Sequence, residues 1–466
     1  MSIKRAKLNL DFGRFGTYVN VAIEKDADAR TDSEKDWNIV SFKIDADFLD
    51  SLSSESTFAQ RETNIQKKTE IIEKKLKEWQ KDNGYDFDSV AEVTISAAYF
   101  DVMSFRYAPG FEEKLITEED VRKMELCKQK DVAAKIQMPD KTRRIFVSPY
   151  FLLSNEKRGM DLVKVPEPAG HKATNFGFHA YFITENYTIS KIIEIMKKAG
   201  DNINVSLSCE KELKALANEK ERAGKTLLIN ITDSISEFSI WDNSDIKYLN
   251  KKETGLRELK NLIWRLCLCY YRVGELIDLD YELTQDDREM QNFYERVKNI
   301  KIDDDSKELL SADDCFELLK FASCTLDRET EHSIKVNRLA LPGKNGSKTN
   351  KTISNYVLSY FVRKAMHGIL SEIKQTIDND EFCEPNHIIF ECSLPLKGIE
   401  RLATEVFGIP ARKEVAKWDK ESKEGFSVAG IGALKDLLAR DSGKTKEKKR
   451  KTLKLSAIFS NIFNRA

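Results

Sequence analysis

The chain has 466 residues, 41% of them hydrophobic and 33% charged, with a formal net charge of −1. That length exceeds one ordinary hydrophobic core, and the composition is that of a globular chain of two to four subdomains rather than a disordered one. The near-neutral balance excludes a long-range pull of the whole body on nucleic acid or membrane, so any such affinity must come from a local patch. The eight cysteines include no CxxC pair and read as reduced thiols. No two of the five histidines stand at metal-ligand spacing on a helix, which argues against a zinc site. Neither a signal-peptide apolar region nor a run of about 18 apolar residues occurs, so no membrane-crossing helix is expected.

The first strong signal is the stretch 6–24, where two alternating runs flank a Gly-containing turn and predict a β-hairpin. Residues 60–82 place Ile65, Ile71, Ile72, Leu76 and Trp79 on one side of a helix. A strand is expected over 90–98. Thr117, three residues before Asp120, opens an amphipathic helix over 116–130 with a near capping box. Strands follow at 143–154 and 176–184, then a helix at 190–199, a short strand at 204–207 and a helix at 210–223 ended by Gly224. Three short strands span 225–249, and 255–275 reads as an apolar helix. Acidic helices with loops fill 283–325, a flexible basic loop 341–352, a long helix 353–377, and a buried strand 387–393. A helix over 398–408 has a glycine stop. Strands and helices alternate throughout, so the class is α/β, and no internal sequence repeat is visible. Residues 441–452 contain no apolar residue and read as a linker before the closing segment 454–466.

Three turns carry the chemistry. The first is Leu10-Asp11-Phe12-Gly13-Arg14-Phe15. The second is Asn230-Ile231-Thr232-Asp233-Ser234-Ile235-Ser236-Glu237, followed later by Gly255. The third is Ile389-Phe390-Glu391-Cys392-Ser393, with GIERLATEVFGIPARKE after it. Glycine at such turns lets backbone approach a phosphate closely. In this order, and with an amphipathic helix after a linker at the end, the set resembles the bacterial cell-division adaptor family FtsA, of the actin/Hsp70-like ATPase superfamily. The resemblance implies an actin-like two-lobe α/β fold with an FtsA-type inserted subdomain (1C, SHS2-like) and a C-terminal amphipathic helix. It implies a first lobe at 1–87, the insertion at 88–170, a return to the first lobe at 171–224, and a second lobe at 225–420 with a 2B part within about 257–340. A closing helix of the first lobe is expected at 421–440, a basic linker at 441–453 and a membrane-targeting helix at 454–466.

In that family each turn begins with an Asp that holds hydrated Mg²⁺, and glycines surround the phosphates and the adenosine. Asp11 and Gly13 keep the first pattern, while Arg14 stands where the family has Thr or Ser. Asn230 replaces the second Asp, and an amide holds hydrated Mg²⁺ poorly. Thr232, Asp233 and Ser234 replace glycines, Glu237 replaces an Asp, and Glu391 with its neighbours replaces the adenosine-side glycines. No cofactor is therefore expected, ATP with Mg²⁺ being weakly bound or lost, and the chain reads as an adaptor rather than an enzyme. The implied partners are the FtsZ C-terminal tail, further copies of this chain in an actin-like filament, other division proteins and anionic lipid, with no nucleic acid. Arg363 matches a tail-contacting Arg, with Lys348 and Lys351 before it. Leu455, Ile458, Phe459, Ile462 and Phe463 form one apolar stripe behind Lys449, Arg450 and Lys451, a combination that suits an anionic leaflet. The implied place is the cytoplasmic face of the inner membrane at the division site. The competing function is an active actin-like or pilus-assembly-type ATPase of the same superfamily.

Overall fold

The computed structural model describes residues 4–13, 16–24, 37–44, 58–86, 90–130, 142–155, 162–186, 189–191, 193–194, 204–272, 287–301, 310–326, 338–342, 348–380, 384–392, 396–413 and 428–441. Arg14, the basic linker Lys449, Arg450 and Lys451, and the apolar stripe Leu455, Ile458, Phe459, Ile462 and Phe463 lie outside these residues.

Strand β1 (Lys4–Gly13) turns back through β2 (Gly16–Glu24), which pairs in turn with β3 (Trp37–Ile44), an antiparallel meander. Leu8, Leu10, Phe12, Val19 and Val21 are buried along it. Helix α1 (Phe58–Asn83) buries Ile65 and Ile72, and its Trp79 stacks on Phe42 of β3 with ring centroids 6.4 Å apart. Short β4 (Tyr85–Asp86) and β5 (Val90–Ile95) pair parallel with β1, and β11 (Asn204–Leu207) extends β5 in parallel. The sheet order is β11-β5-β1-β2-β3.

The second sheet repeats this plan. Strands β12 (Lys225–Ile231), β13 (Ser236–Asp242) and β14 (Asp245–Lys252) form an antiparallel meander. Strand β17 (His387–Cys392) pairs parallel with β12, and β18 (Ala411–Lys413) with β17. The order β14-β13-β12-β17-β18 is again a meander followed by two parallel strands. The duplication, invisible in the residues, is plain in the topology.

Between the two sheets the chain inserts a third. Strands β6 (Phe100–Tyr107), β7 (Gly110–Leu115), β8 (Thr142–Ser154), β9 (Val163–Val165) and β10 (Lys172–Glu185) form one antiparallel sheet, with helix α2 (Glu118–Lys130) on one face. The capping box holds: Thr117 Oγ1 accepts from the Asp120 N–H at 3.2 Å, and Asp120 Oδ2 accepts from the Thr117 N–H at 3.0 Å. The expected bounds of 88–170 are corrected, since β5 belongs to the first lobe through its pairing with β1, and the insertion runs on to Glu185 because β10 is its central strand.

Two further expectations change. The helix expected over 210–223 is two, α3 (Ser208–Leu216) and α4 (Glu219–Ala223), because the Asn218 side chain caps a new start with Glu221 in a reciprocal box. The basic loop expected over 341–352 is for the most part a hairpin of β15 (Arg338–Pro342) and β16 (Lys348–Ser354), whose Leu341 and Ile353 are buried. Helices α5 (Leu256–Arg272), α6 (Asp287–Lys298), α7 (Ala312–Phe316) and α8 (Asn355–Asp380) surround that hairpin. Helix α9 (Ile399–Phe407) ends on Gly408 at φ +74°, and α10 (Val428–Asp441) returns to pack on α3, β1 and β2 of the first lobe.

One hydrophobic cluster runs from Leu8 and Phe12 through Ala97, Tyr99 and Phe100 to Leu227, Phe238, Leu266 and Phe361. The two lobes share a core rather than owning one each. The insertion adds two small clusters of its own, around Phe178 and Phe176. Within it, a Cβ on Gly177 would stand 1.7 Å from the Tyr107 carbonyl oxygen, where the link from β6 to β7 crosses β10. Gly177→Ala is expected to lower stability by about 1–3 kcal/mol through overpacking, read as a lower midpoint in urea denaturation.

Candidate functional site

The end of β5 and helix α3 of the first lobe meet β12, β13 and β14 of the second at a common junction, and the acidic and amide groups expected to hold nucleotide are buried there. Asp11 is 2% exposed, Asn230 1%, Thr232 4% and Glu237 1%. Side chains of the chain itself occupy them. Glu237 Oε2 accepts from Ser96 Oγ at 2.7 Å and from the Ala97 N–H at 3.2 Å, both at the end of β5 in the first lobe. Asn230 Nδ2 donates across the junction to Glu212 Oε2 on α3 at 3.0 Å. Asp11 Oδ1 accepts from Thr94 Oγ1 at 2.6 Å and Ser208 Oγ at 3.1 Å, so its charge is used inside the first lobe. Lys251 Nζ of β14 donates to the Ala98 carbonyl at 3.3 Å. Arg412 of β18 donates to the Leu216 carbonyl at 2.7 Å and forks onto Glu221.

Burial, followed by the charges of Glu237, Glu210 and Glu212, pushes the Cys209 thiol well above its usual range. Among the described residues, no three His, Cys, Asp or Glu side chains gather so as to hold a metal ion. Asn230 has a clear local reason. Its amide satisfies Glu212, whereas an Asp there would set two buried carboxylates against each other.

The second turn is bound up in itself. Thr232 N–H donates to the Ile235 carbonyl at 2.9 Å, and the Thr232 hydroxyl bridges Ile235 on both sides. The first amides of α5, the natural anion-binding groups of a helix start, donate instead to the carbonyls of Thr232 (2.8 Å) and Asp233 (2.6 Å). Gly255 permits that approach: a Cβ there would lie 2.5 Å from the Thr232 oxygen. Lys260 pairs with Asp233 at 2.6 Å. Gly13 is buried at the end of β1, and Glu391 is half-buried on β17 beside Asn230 in register.

The expected tail-binding cluster is separate from this junction, and Arg363 and Lys351 have partners within the chain. Arg363 forks onto Glu405 with both contacts at 2.7 Å and donates to the Cys324 carbonyl at 2.9 Å. Lys351 lies over the Tyr271 ring at 4.9 Å and donates to the Tyr271 carbonyl. Lys348 begins β16. Residues that sequence reasoning missed are Thr94, Ser96, Ser208 and Glu212. Glu212 had a signal: it shares the apolar helical face of Cys209, Leu213 and Leu216.

The insertion also touches the second lobe. Tyr181 meets the Tyr248 ring edge-on at 5.6 Å, Tyr248 donates to Asp380, and Lys164 donates to the Asp378 carbonyl. A cavity of about 650 Å³ opens along this seam, lined by Tyr150, Lys164, Lys374, Phe407 and Ile409. His179 is buried here, its Nδ1 3.2 Å from the Tyr181 hydroxyl. Burial, and then the Arg106 charge, hold its pKa down at about 4.

No family model matches the chain, and no curated protein matches it. Among solved structures, it is similar to a PilM–PilN type IV pilus biogenesis complex at 10% identity and TM-score 0.41, covering 93% of this chain and 99% of that one. It is similar to MreB5 of Spiroplasma citri bound to ADP at 9% identity and TM-score 0.39, covering 94% and 98%. The AMPPNP-bound form gives 11% identity and TM-score 0.38 over 56% and 68%. Likenesses this distant say nothing of ligand or activity. The chain's own duplicated sheets, each a meander followed by two parallel strands, form an actin-like two-lobe α/β plan.

Asn230→Asp is expected to destabilise the fold by about 3 kcal/mol at neutral pH, since an uncompensated charge is buried. The carboxylate pair would have a raised folded-state pKa. The variant's deficit should therefore shrink as pH falls toward about 5, read by denaturation at a series of pH values. His179 works the other way. Its folded pKa lies below the unfolded value of about 6.5, so the unfolded chain binds the extra proton. Wild type should lose about 2 kcal/mol as pH falls from 6.5 to 4, and His179→Gln should flatten that slope.

Proposed function

We propose that this chain is an actin-like adaptor that works without nucleotide turnover. On this reading it ties the C-terminal tails of FtsZ filaments to the cytoplasmic face of the inner membrane, as the FtsA-like order of its turns suggests. The observation that carries the reading is the lobe junction. Asp11, Asn230 and Glu237, the positions that would meet Mg²⁺ and phosphate, are buried and bonded to Thr94, Ser208, Glu212, Ser96 and Ala97. A triphosphate would have to displace these bonds.

The remaining parts of the reading rest on sequence. Self-association into a filament would present many C-terminal helices together, so that individually weak membrane contacts add. The stripe Leu455, Ile458, Phe459, Ile462 and Phe463 would insert at the headgroup boundary at roughly 1–2 kcal/mol per residue, aided by the basic linker on anionic lipid. The acidic tail would meet the surface near Arg363 and Lys348. Because Arg363 already forks onto Glu405, the tail would compete for that guanidinium or engage the lysines around it.

Two measurements test this. Calorimetry on the chain lacking residues 441–466 should show no Mg²⁺-dependent ATP binding tighter than about 10 μM. Tighter binding would place the chain among the active ATPases of the superfamily. A Phe459→Glu, Phe463→Glu double variant should stay soluble in co-sedimentation with anionic vesicles that pellet the wild type. Equal pelleting would remove the helix as the anchor.

A further inference from the structure

The closing helix of the first lobe lies on a polar surface. Across the adjacent strands β5, β1, β2 and β3, residues Glu92, Asn9, Asn20 and Ser41 stand in register, and all four are buried. Their bonds form one chain. Ser41 Oγ donates to Asn20 Oδ1 at 2.6 Å, Asn20 Nδ2 to Asn9 Oδ1 at 3.0 Å, and Asn9 Nδ2 to the Glu92 carbonyl at 3.2 Å. Helix α10 presses on this row through glycines. A Cβ on Gly430 would stand 1.8 Å from Asn20 Nδ2, and one on Gly432 would stand 2.3 Å from the Lys211 carbonyl oxygen. Further along, Asp436 takes Lys211 at 3.0 Å and Lys214 at 2.7 Å.

Among the described side chains of α10 the buried apolar ones are Val428, Ala429, Ala433 and Leu434, mostly small, and they flank the two glycines of the seam. If the helix left, the amide row would keep its own bonds. Lys211 would keep Glu92, 2.7 Å away, so no buried charge would be orphaned. Asp436 would go to water, where a carboxylate is well solvated.

We propose that α10 is a releasable latch, able to leave the first lobe as a unit while the sheet beneath stays folded. Release lengthens the tether to whatever follows Asp441 by about 50 Å of extended chain. The latch does not depend on what that following segment binds.

Hydrogen–deuterium exchange on the full chain tests it. In wild type the amides of 428–441 are expected to exchange at least tenfold faster than those of β1 and β12, through local opening. Asp436→Asn, which removes the ion pairs without touching the glycine seam, should speed α10 by a further severalfold and leave β1 unchanged. Gly430→Ala should do the same more strongly, and if that variant does not fold, Asp436→Asn decides. Common exchange of α10 and β1 at one rate, with Asp436→Asn moving both by the same factor, would make α10 an ordinary part of the core and overturn the latch.

Discussion

A carboxylate that is 1% exposed must find donors, and Glu237 of the second lobe finds two across the junction, in the Ser96 hydroxyl and the Ala97 amide. Much of the architecture follows from that demand. The Ser96 amide donates to the Phe12 carbonyl, which fixes the donor group to the end of β1. The turn Ala97–Tyr99 that follows is fully buried and carries the shared core from one lobe to the other. The insertion begins at the next residue, so it is seated on the junction rather than hung from a surface loop. Its second seam, through Tyr181 and Tyr248, reaches β14 of the second lobe.

Asn230 and the lost glycines make sense together in this frame. A nucleotide site alternates between filled and empty states, so its groups stay available to the ligand. Here each has a partner of complementary chemistry within the chain: an amide for Glu212, a hydroxyl and an amide for Glu237, two hydroxyls for Asp11. The turn at 232–235 closes on its own bonds and on the start of α5.

Local signals in the residues went a long way. The hairpin of β1 and β2, the strand trio β12 to β14, and the long helix α8 were legible because their periodicity is strong and their punctuation clear. The break between α3 and α4 turned on one capping residue, Asn218, inside a stretch of good helix formers. The hairpin of β15 and β16 was hidden by lysines and by glycines at 343 and 346 that read as a loop. The insertion's bounds could not be read, since β5 and β10 look alike as apolar runs and differ only in the strands they pair with. The junction was half legible. Asp11, Asn230 and Glu237 were visible as turn residues, but their partners lie as far as 197 positions away in sequence. The polar row misled in the same way: Asn9, Asn20 and Ser41 alternate with apolar neighbours as if they faced water, and only the return of α10 covers them.

Helix α3 joins these features physically. Lys211 and Glu212 are consecutive, so on a helix they project roughly 100° apart and serve different neighbours. Lys211 meets Glu92 and the Asp436 carboxylate of α10, while Glu212 meets Asn230 across the junction. Both side chains are nearly buried, at 3% and 4% exposure, which leaves little room for one to readjust without the other. The helix is nine residues long and stands alone between β11 and the break at Ala217, too short to hold its shape without these contacts. The closing helix and the junction therefore lean on the same two turns of backbone. With α10 docked, α3 is braced from both sides. With α10 away, the Glu92–Lys211 pair and the junction bonds alone would position it, and the angle between the lobes would rest on fewer fixed points.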